Sequence, residues 1–329
     1  GVGAATFGSM ALFYTHHVTV KLLPFDNKSE LSVVLDLPRG ASVEETDRLL
    51  QQMARIVLAV PEARSVQAHA GTAAPFNFNG LVRHSYLRNE PQMGDLHINV
   101  VGKDQRTRSS HDLAIDIRTR LKAIALPPGA SLKVVEPPPG PPVMATLLAE
   151  IYGPDAETRR AVAKKVRAAF EAVPFIVDTD DSFGIAPERL RLVLSDDNVD
   201  FYRVEQRDVF ETIRLIYGGA SVGYSHRGEG RAPIPIRVMR SKSATGVDEK
   251  ALATPVPANL LPGDRSVVEL GDVVTVQHEA ASYPVFRHNG RPAEMVLAEL
   301  AGAYEAPLYG MMAVQKIIDA ADWGALPKP

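Results

Sequence analysis

Strand-like and helix-like hydrophobic patterns alternate along the first third of the chain. The stretch Glu30–Leu37 is rich in Val and Leu and is followed by Pro38, which predicts a short strand. A helix is predicted next, because Ser42 and Glu45 have the spacing of a capping box and apolar residues then recur at helical intervals up to Pro61. The remaining elements predicted in this part are strands at Arg64–Ala70, Asp95–Val101 and Ser131–Glu136 and a helix at Thr107–Ala125. This β-α-β-β-α-β order predicts a ferredoxin-like fold, in which two helices cover one face of a four-stranded antiparallel sheet.

The same pattern starts again after a proline-rich connector, Pro137–Pro142. The predicted elements are strands at Thr146–Tyr152, Phe175–Thr179 and Arg189–Leu194, a helix capped by Asp155, a later strand at Glu294–Leu300 and a helix at Leu308–Ala321. From about Asp196 to Ser282 the pattern changes to short helices and short strands, which indicates an inserted domain. The sequence therefore predicts an α+β protein with two ferredoxin-like βαββαβ subdomains. The second is interrupted by an inserted α+β domain and lacks its last strand, so we expect an unpaired sheet edge.

A long segment without periodicity, Gly71–Glu90, interrupts the regular pattern. Loops of more than about 12 to 15 residues are uncommon in compact domains and are usually functional. Its middle part offers aromatic surface to an apolar ligand, amide groups to polar edges, and a glycine that can adopt a positive φ and let the loop move. The candidate substrate-binding residues are Phe76, Asn77, Phe78, Asn79 and Gly80. The alternative is a β-hairpin with one buried Phe face.

Composition narrows the functional classes. The chain has 329 residues, of which 45% are apolar, and its formal net charge of -3 provides no basic surface for nucleic acid. It contains no cysteine, which excludes thiol catalysis, cysteine-based zinc sites and disulfides. The adjacent pair His16 and His17 favours a polar boundary over a metal site, because neighbours on a regular element point in different directions. We therefore predict no nucleic-acid partner and no cofactor.

The N-terminal stretch Val2–Tyr14 carries no charge, but it has only 13 residues, whereas a membrane-spanning helix needs about 20. Two interpretations are open: a core helix, or the outer end of a spanning helix. The polar residues that begin at Thr15 favour the second, because polar residues collect where a helix leaves the lipid.

The sequence offers no convincing catalytic centre. Arg39, beside a predicted helix N-terminus, has the position of an anion ligand, but no base or nucleophile accompanies it. We therefore interpret Arg39 as a solvated loop arginine. Asp178, Asp180 and Asp181 carry the oxygen ligands that calcium uses, yet they lack the spacing of a calcium loop. We expect a solvated acidic turn there, no metal site and no enzymatic activity.

Five segments, taken in order, are similar to one transporter family. They are VKLLPFDNKSELSVVLDLPRGASVEET at Val20–Thr46, FNFNG at Phe76–Gly80, IYGG at Ile216–Gly219, VVELGDVVTV at Val267–Val276 and FRHNGRP at Phe286–Pro292. Together they resemble the resistance-nodulation-division (RND) efflux transporters, in particular the second periplasmic half, which follows the seventh membrane helix. The resemblance extends over nearly the whole chain.

This resemblance implies a division of the chain into parts of a pump. Residues 1–18 would be the stub of the seventh membrane helix, residues 19–137 the first porter subdomain, residues 138–195 and 283–329 the second porter subdomain, and residues 196–282 the docking domain. Such pumps are homotrimers in the bacterial inner membrane, and this segment would face the periplasm. They are driven by protons that pass through the membrane domain, and they work with a periplasmic adaptor protein and an outer-membrane channel. Small amphiphilic or hydrophobic cargo would enter the cleft between the porter subdomains, beside Phe76–Gly80.

Two further points concern the cargo and an alternative function. Metal export is not favoured, because the eight methionines form no cluster in the predicted cleft strands. The rival hypothesis is a free-standing periplasmic binding or adaptor module built from two ferredoxin-like units.

Overall fold

The computed structural model of the chain describes residues 1–15, 18, 27–137, 143–227, 230–241, 246–259, 263, 266–302, 304 and 306–328. The histidine pair at 16 and 17, the start of the LPF-containing motif and most of the proline-rich connector lie outside the described residues. Two compact units are present: Gly1–Pro187 with Ser282–Pro329, and Glu188–Ala281.

The chain begins with helix α1, Val2–Tyr14, whose apolar side chains from Val2 to Leu12 are exposed. Phe7, for example, is 75% exposed, so the core-helix alternative is wrong. Among the described residues, none of the helices has both the length and the apolar character that crossing a membrane requires. The membrane-stub interpretation of α1 stays a prediction.

The first subdomain, residues 27–137, consists of an antiparallel sheet and two long helices. Its elements are β1 (Glu30–Asp36), α2 (Val43–Leu58), β2 (Ala63–Ala70), the short helix α3 (Phe78–Val82), β3 (Met93–Val100), α4 (Ser110–Leu121) and β4 (Ser131–Val135), with a 3-10 turn at Ser85–Leu87. The strand order is β2-β3-β1-β4, and Val33 at the centre of β1 pairs with Leu96 and with Val134. All the long elements lie within a few residues of the predicted positions.

Alternation along β1 places the core on one face of this sheet. Leu31, Val33 and Leu35 are buried, whereas the residues between them point to the opposite face. The buried side chains of the two helices that cover the core face are Leu49, Leu50, Met53 and Val57 from α2 and Leu113, Ile117 and Leu121 from α4. The Ser42 hydroxyl caps α2 by accepting from the Glu45 backbone N–H, but the Glu45 carboxylate pairs with Arg48 instead of completing the capping box.

The second subdomain, residues 143–187 with 282–328, begins with β5 (Leu147–Ile151), α5 (Ala156–Glu171) and β6 (Ile176–Asp181). The Asp155 carboxylate caps α5 by accepting from the Thr158 backbone N–H. Val162, Val166 and Phe170 recur every four residues and form the buried stripe of α5.

The chain then forms the inserted unit, Glu188–Ala281. Its elements are β7 (Glu188–Leu194), α6 (Asp196–Tyr202), α7 (Gln206–Gly218), β8 (Ala220–Ser225), β9 (Ile234–Val238), α8 (Glu249–Leu252), β10 (Pro255–Ala258), β11 (Ser266–Glu269), α9 (Leu270–Val273) and β12 (Val274–Ala280). β7 pairs with β12 along its whole length, so Arg189–Leu194 belongs to this unit and not to the second subdomain, where the sequence analysis placed it. The cause is that periodicity identifies a strand but not its partner.

After the insertion, β13 (Arg287–His288) and β14 (Arg291–Pro292) form a short hairpin, followed by β15 (Glu294–Leu300) and α10 (Pro307–Ala320). The described sheet has the order β5-β15-β6, and both pairings are antiparallel. Val314 and Ile318 of α10 enter the same core as the α5 stripe. The protein is thus of the α+β class with small antiparallel sheets, as predicted.

Candidate functional site

A cavity of about 200 Å³ lies on the face of the first sheet that the helices do not cover. Its walls come from three places: the open face of the sheet, the segment between β2 and β3, and Met144 and Leu297 of the second subdomain. The cavity is therefore formed by both subdomains of one compact unit.

Three of the five predicted binding residues, Phe76, Asn77 and Gly80, line this cavity. Phe78 and Asn79 lie in α3, and their side chains are outside the described part of the structure. Phe76 is 47% exposed and contacts Tyr86, with 5.8 Å between ring centroids. The hairpin alternative is wrong, since residues 78–82 are helical and Phe76 is not buried.

Asn77 and Gly80 hold the start of the loop helix together. The Asn77 amide donates to Glu30 at 3.2 Å, and its oxygen accepts from the Gly80 backbone N–H at 3.1 Å. A Cβ at residue 80 would lie 2.6 Å from the Cβ of Phe76. Gly80 does not have a positive φ in this conformation, and its ability to adopt one when the loop moves stays a prediction. Glycine is required there for close packing under Phe76.

Arg88 anchors the other end of the loop to the sheet. Its guanidinium donates to Asp95 at 2.9 and 3.1 Å, to Asp36 at 2.7 Å, and to two backbone carbonyls, Leu35 and Gly94. Burial disfavours the charge on Arg88, but the two carboxylates outweigh burial and raise its pKa. Burial, helped by the charge of Asp36, raises the pKa of Asp95 against the attraction of Arg88. Two carboxylates therefore share one guanidinium.

Lys133 connects the cavity floor to the second subdomain. Its ammonium forms an ion pair with Asp180 of β6 and lies 3.8 Å from Asp36. Burial opposes the charge of Lys133, but Asp180 and Asp36 outweigh it and raise its pKa. Burial likewise opposes the charge of Asp180, and the attraction of Lys133 outweighs it and lowers the pKa of Asp180. Both groups are thus held in their charged forms.

Arg83 links the loop to the second subdomain on another side of the cavity. Its guanidinium donates to Glu299 of β15 at 2.7 Å, and the side chains are only 17% and 15% exposed. The Thr146 hydroxyl donates to the other Glu299 oxygen. The loop is therefore held at one end by its own sheet and in its middle by the neighbouring subdomain.

The acidic segment of β6 is not the solvated turn that we expected from the sequence. Asp178 is almost fully buried and accepts from Arg118 of α4 and from the Val134 backbone N–H. Asp181 pairs with Arg167 of α5. The expectation was wrong because the carboxylates meet cations from two helices, Arg118 of α4 and Arg167 of α5. Within the described residues, no group of three or more His, Cys, Asp or Glu side chains is placed to hold a metal ion.

His97 of β3 also lines the cavity, and its ring lies edge-on to that of His69, with 6.0 Å between centroids. Burial lowers the pKa of His97, and the neighbouring His69 adds to this effect against the attraction of Asp95 and Glu30. His97 is therefore held in its neutral form more strongly than an ordinary histidine.

Sequence reasoning missed the polar floor of the cavity, which consists of Asp36, Arg88, Asp95, His97 and Lys133. A signal was present: Asp36, Asp95 and Lys133 each occupy a position in a strand whose alternate residues are apolar. Such positions indicate a polar sheet face that another part of the protein covers. Arg39, by contrast, is exposed, as expected.

Comparison with proteins of known structure shows the same fold in two crystal forms of a heavy metal efflux pump. The protein in crystal form II is 15% identical in sequence to this chain, with a TM-score of 0.74. The match covers 99% of this chain and 33% of that chain. For crystal form I the sequence identity is 17% and the TM-score is 0.73. The match covers 98% of this chain and 32% of that chain. This chain therefore spans about a third of the length of those pumps. A comparison with curated protein sequences gives no match.

A comparison with protein-family models tests the resemblance drawn from the sequence directly. The model described as the AcrB/AcrD/AcrF family matches residues 2–317, which is nearly the whole chain. This match confirms the resemblance, and the chain belongs to the AcrB/AcrD/AcrF family of RND efflux transporters.

Proposed function

We propose that this chain is the second periplasmic half of a proton-driven RND export pump, and that cargo binds in the cavity beside Phe76. The observation that carries this proposal is that both subdomains of one unit, together with the long loop, line a single cavity. In this proposal the chain takes part in the transport of cargo and catalyses no chemical reaction.

The architecture supports a specific assignment of parts. The elements of residues 27–137 and the strand order β2-β3-β1-β4 support the assignment of residues 19–137 to a ferredoxin-like porter subdomain. Residues 143–187 with 282–328 supply the three-stranded sheet β5-β15-β6 and the helices α5 and α10, which we assign to a second such subdomain, and Glu188–Ala281 is our candidate for the docking domain. We assign residues 1–18 to the end of the seventh membrane helix. In this proposal the full pump is a homotrimer in the bacterial inner membrane, and it meets a periplasmic adaptor protein and an outer-membrane channel.

The cavity favours a small amphiphilic or hydrophobic cargo. Phe76, Met144 and Leu297 offer apolar surface, while charged side chains cover the sheet face opposite them. Such a site accommodates an apolar body and a polar group at the same time. The similar solved structures are named as heavy metal pumps, but at 15% and 17% identity they support the fold and not the cargo.

Replacement of Phe76 by Ala in the full-length pump tests the proposal. Truncating a ring that is 47% exposed should hardly change stability, but it removes part of the contact area for cargo. We expect cargo binding to weaken by about 1 to 2 kcal/mol, which is roughly 5- to 30-fold in affinity. The measurements are the thermal unfolding of the variant and its export of a broad panel of compounds.

Phe201 provides a matched control. It is 73% exposed in the inserted unit and pairs with Tyr202, with 5.0 Å between ring centroids, much as Phe76 pairs with Tyr86. We expect Phe201→Ala to leave export of the same panel unchanged. If the Phe76→Ala variant unfolds at a much lower temperature than the parent, the Phe76 ring belongs to the core. If both stability and export are unchanged across the panel, the loop is not the cargo site.

A further inference from the structure

A second cavity, of about 290 Å³, lies in the second subdomain and shares no lining residue with the first. Arg159 and Arg160 at the start of α5 form one side, and Glu294 of β15 lies opposite. The segment that precedes β13 supplies the remaining wall, with Tyr283, Val285 and Phe286. Val285 is 83% exposed, so it forms an open lip of this cavity.

Arg159 is a buried cation with few partners. The residue is 8% exposed; its Nη1 donates to the Gly153 carbonyl at 3.0 Å, and its Nε is buried without a hydrogen-bond partner. Gly153 also makes room for the side chain, because a Cβ there would lie 3.1 Å from Arg159 Cγ. Asp155 attracts Arg159, but its carboxylate is engaged by the Thr158 backbone N–H and hydroxyl, which are the main causes of its lowered pKa.

The charges around the cavity do not balance. The Arg160 guanidinium lies 3.8 Å from Glu294 and 4.2 Å from the centre of the Tyr283 ring. Glu294 is 3% exposed and also accepts from the Ser182 hydroxyl. Glu294 therefore neutralises Arg160, and within the described part of the chain no carboxylate forms an ion pair with Arg159. A buried charge is stable only when it is paired, so this cavity is short of one negative charge.

We propose that this cavity binds an oxyanion, a carboxylate or a phosphate group, with Arg159 as the counter-charge. The planar guanidinium donates two parallel hydrogen bonds to either group, and the orphan Nε is one of its donors. Val285 and Phe286 contact the apolar part of the ligand, so a carboxylate on an alkyl chain binds more tightly than inorganic phosphate. The proposal does not depend on the transport function or on the cavity beside Phe76.

The test uses the full 329-residue chain. Thermal unfolding is measured against increasing octanoate and, separately, inorganic phosphate, with sodium chloride added to hold the ionic strength constant. A ligand that binds only the folded state raises the unfolding midpoint in a saturable manner. We expect this rise for the parent, at lower concentrations of octanoate than of phosphate. Direct titration calorimetry then gives the affinity.

Two variants locate the site. Arg159→Met removes the counter-charge, and Val285→Glu places a negative charge at the exposed lip without touching a buried side chain. We expect each to weaken binding by roughly ten-fold or more, because the first removes a charge-assisted contact and the second repels the anion. Arg64→Met, at an exposed position on β2, is the matched control and should bind like the parent.

Several outcomes would overturn the proposal. They are the absence of a saturable response in the parent, an equal response in Arg159→Met, and parent-like binding in Val285→Glu. If Arg159→Met does not fold, Val285→Glu decides alone. If Phe76→Ala weakens octanoate binding and Val285→Glu leaves it unchanged, the anion binds in the first cavity. This result would also refute the proposal.

Discussion

Replacing Asp178 with Asn tests the buried ion pair that joins the two subdomains. The side chains of Arg118 and Asp178 are only 10% and 6% exposed. Arg118 donates to both carboxylate oxygens at 2.9 to 3.1 Å, and the Val134 backbone N–H donates to one of them at 2.9 Å. Asp178 has a left-handed backbone with φ 55, which Asn also tolerates. The change therefore removes the charge and little else.

The free energy of unfolding should fall because Arg118 stays buried after its counter-charge is lost. Breaking a buried pair by removing one partner costs about 3 to 5 kcal/mol. Arg118 keeps a hydrogen bond to the Val134 carbonyl at 3.0 Å, and the Asn oxygen still accepts one bond. We therefore expect a loss near the lower limit, about 3 kcal/mol. In the double variant Arg118→Met with Asp178→Asn, part of this loss should be recovered.

The assay is urea-induced unfolding followed by tryptophan fluorescence. Trp323 is the only tryptophan of the chain and is buried in the core of the second subdomain, so its signal reports the unfolding of that core. Asp319→Asn is the matched control, because its carboxylate is 56% exposed and pairs with Lys328 on the surface. It should leave the stability nearly unchanged. A loss below about 1 kcal/mol for Asp178→Asn, or a double variant as unstable as the sum of both single variants, would refute the reasoning.

Two further predictions concern the cavity beside Phe76. The pKa of His97 is lowered by folding, so the folded state binds fewer protons than the unfolded one, and stability is lost as the pH falls from about 6.5 through the folded pKa. In an NMR titration, the midpoint of His97 should lie below that of the same chain unfolded in urea; an equal or higher midpoint would contradict this. Glu299→Gln removes the counter-charge of Arg83, so amide hydrogen exchange in residues 77–87 should become roughly ten-fold faster. Unchanged exchange there would show that the Arg83 contact does not hold the loop.

The helices and strands of unit Gly1–Pro187 with Ser282–Pro329 could be predicted because their local signals agree. In β1, alternating burial coincides with high strand propensity, and in α5 the Asp155 cap coincides with a regular apolar stripe. The pairing of β7 could not be predicted in the same way, since its partner β12 follows 80 residues later. Long-range pairing depends on packing that no local pattern records.

The candidate site was predictable only in part. The loop was identified by its length, and Phe76 as an aromatic residue in a stretch without periodicity. The ion pairs that hold the loop and join the subdomains, such as Arg83 with Glu299, connect residues 216 positions apart. The charges and sequence spacing of these residues do not reveal which of them pair, because only the folded chain brings them together. The close packing of Gly80 against Phe76 could not be predicted, because close packing and positive φ both favour glycine.

The polar face of the first sheet also constrains how its strands align. Ser32, Val34 and Asp36 alternate with the buried residues of β1, so a shift by one residue would turn them toward the helices. Asp36 would then lose both Arg88 and Lys133 and would bury an unpaired carboxylate. The residues that face the cavity thus also penalise misaligned pairing during folding. Apolar substitutions at Asp36 or Ser32, made to change which compounds bind, should therefore lower the yield of correctly folded protein before they alter selectivity.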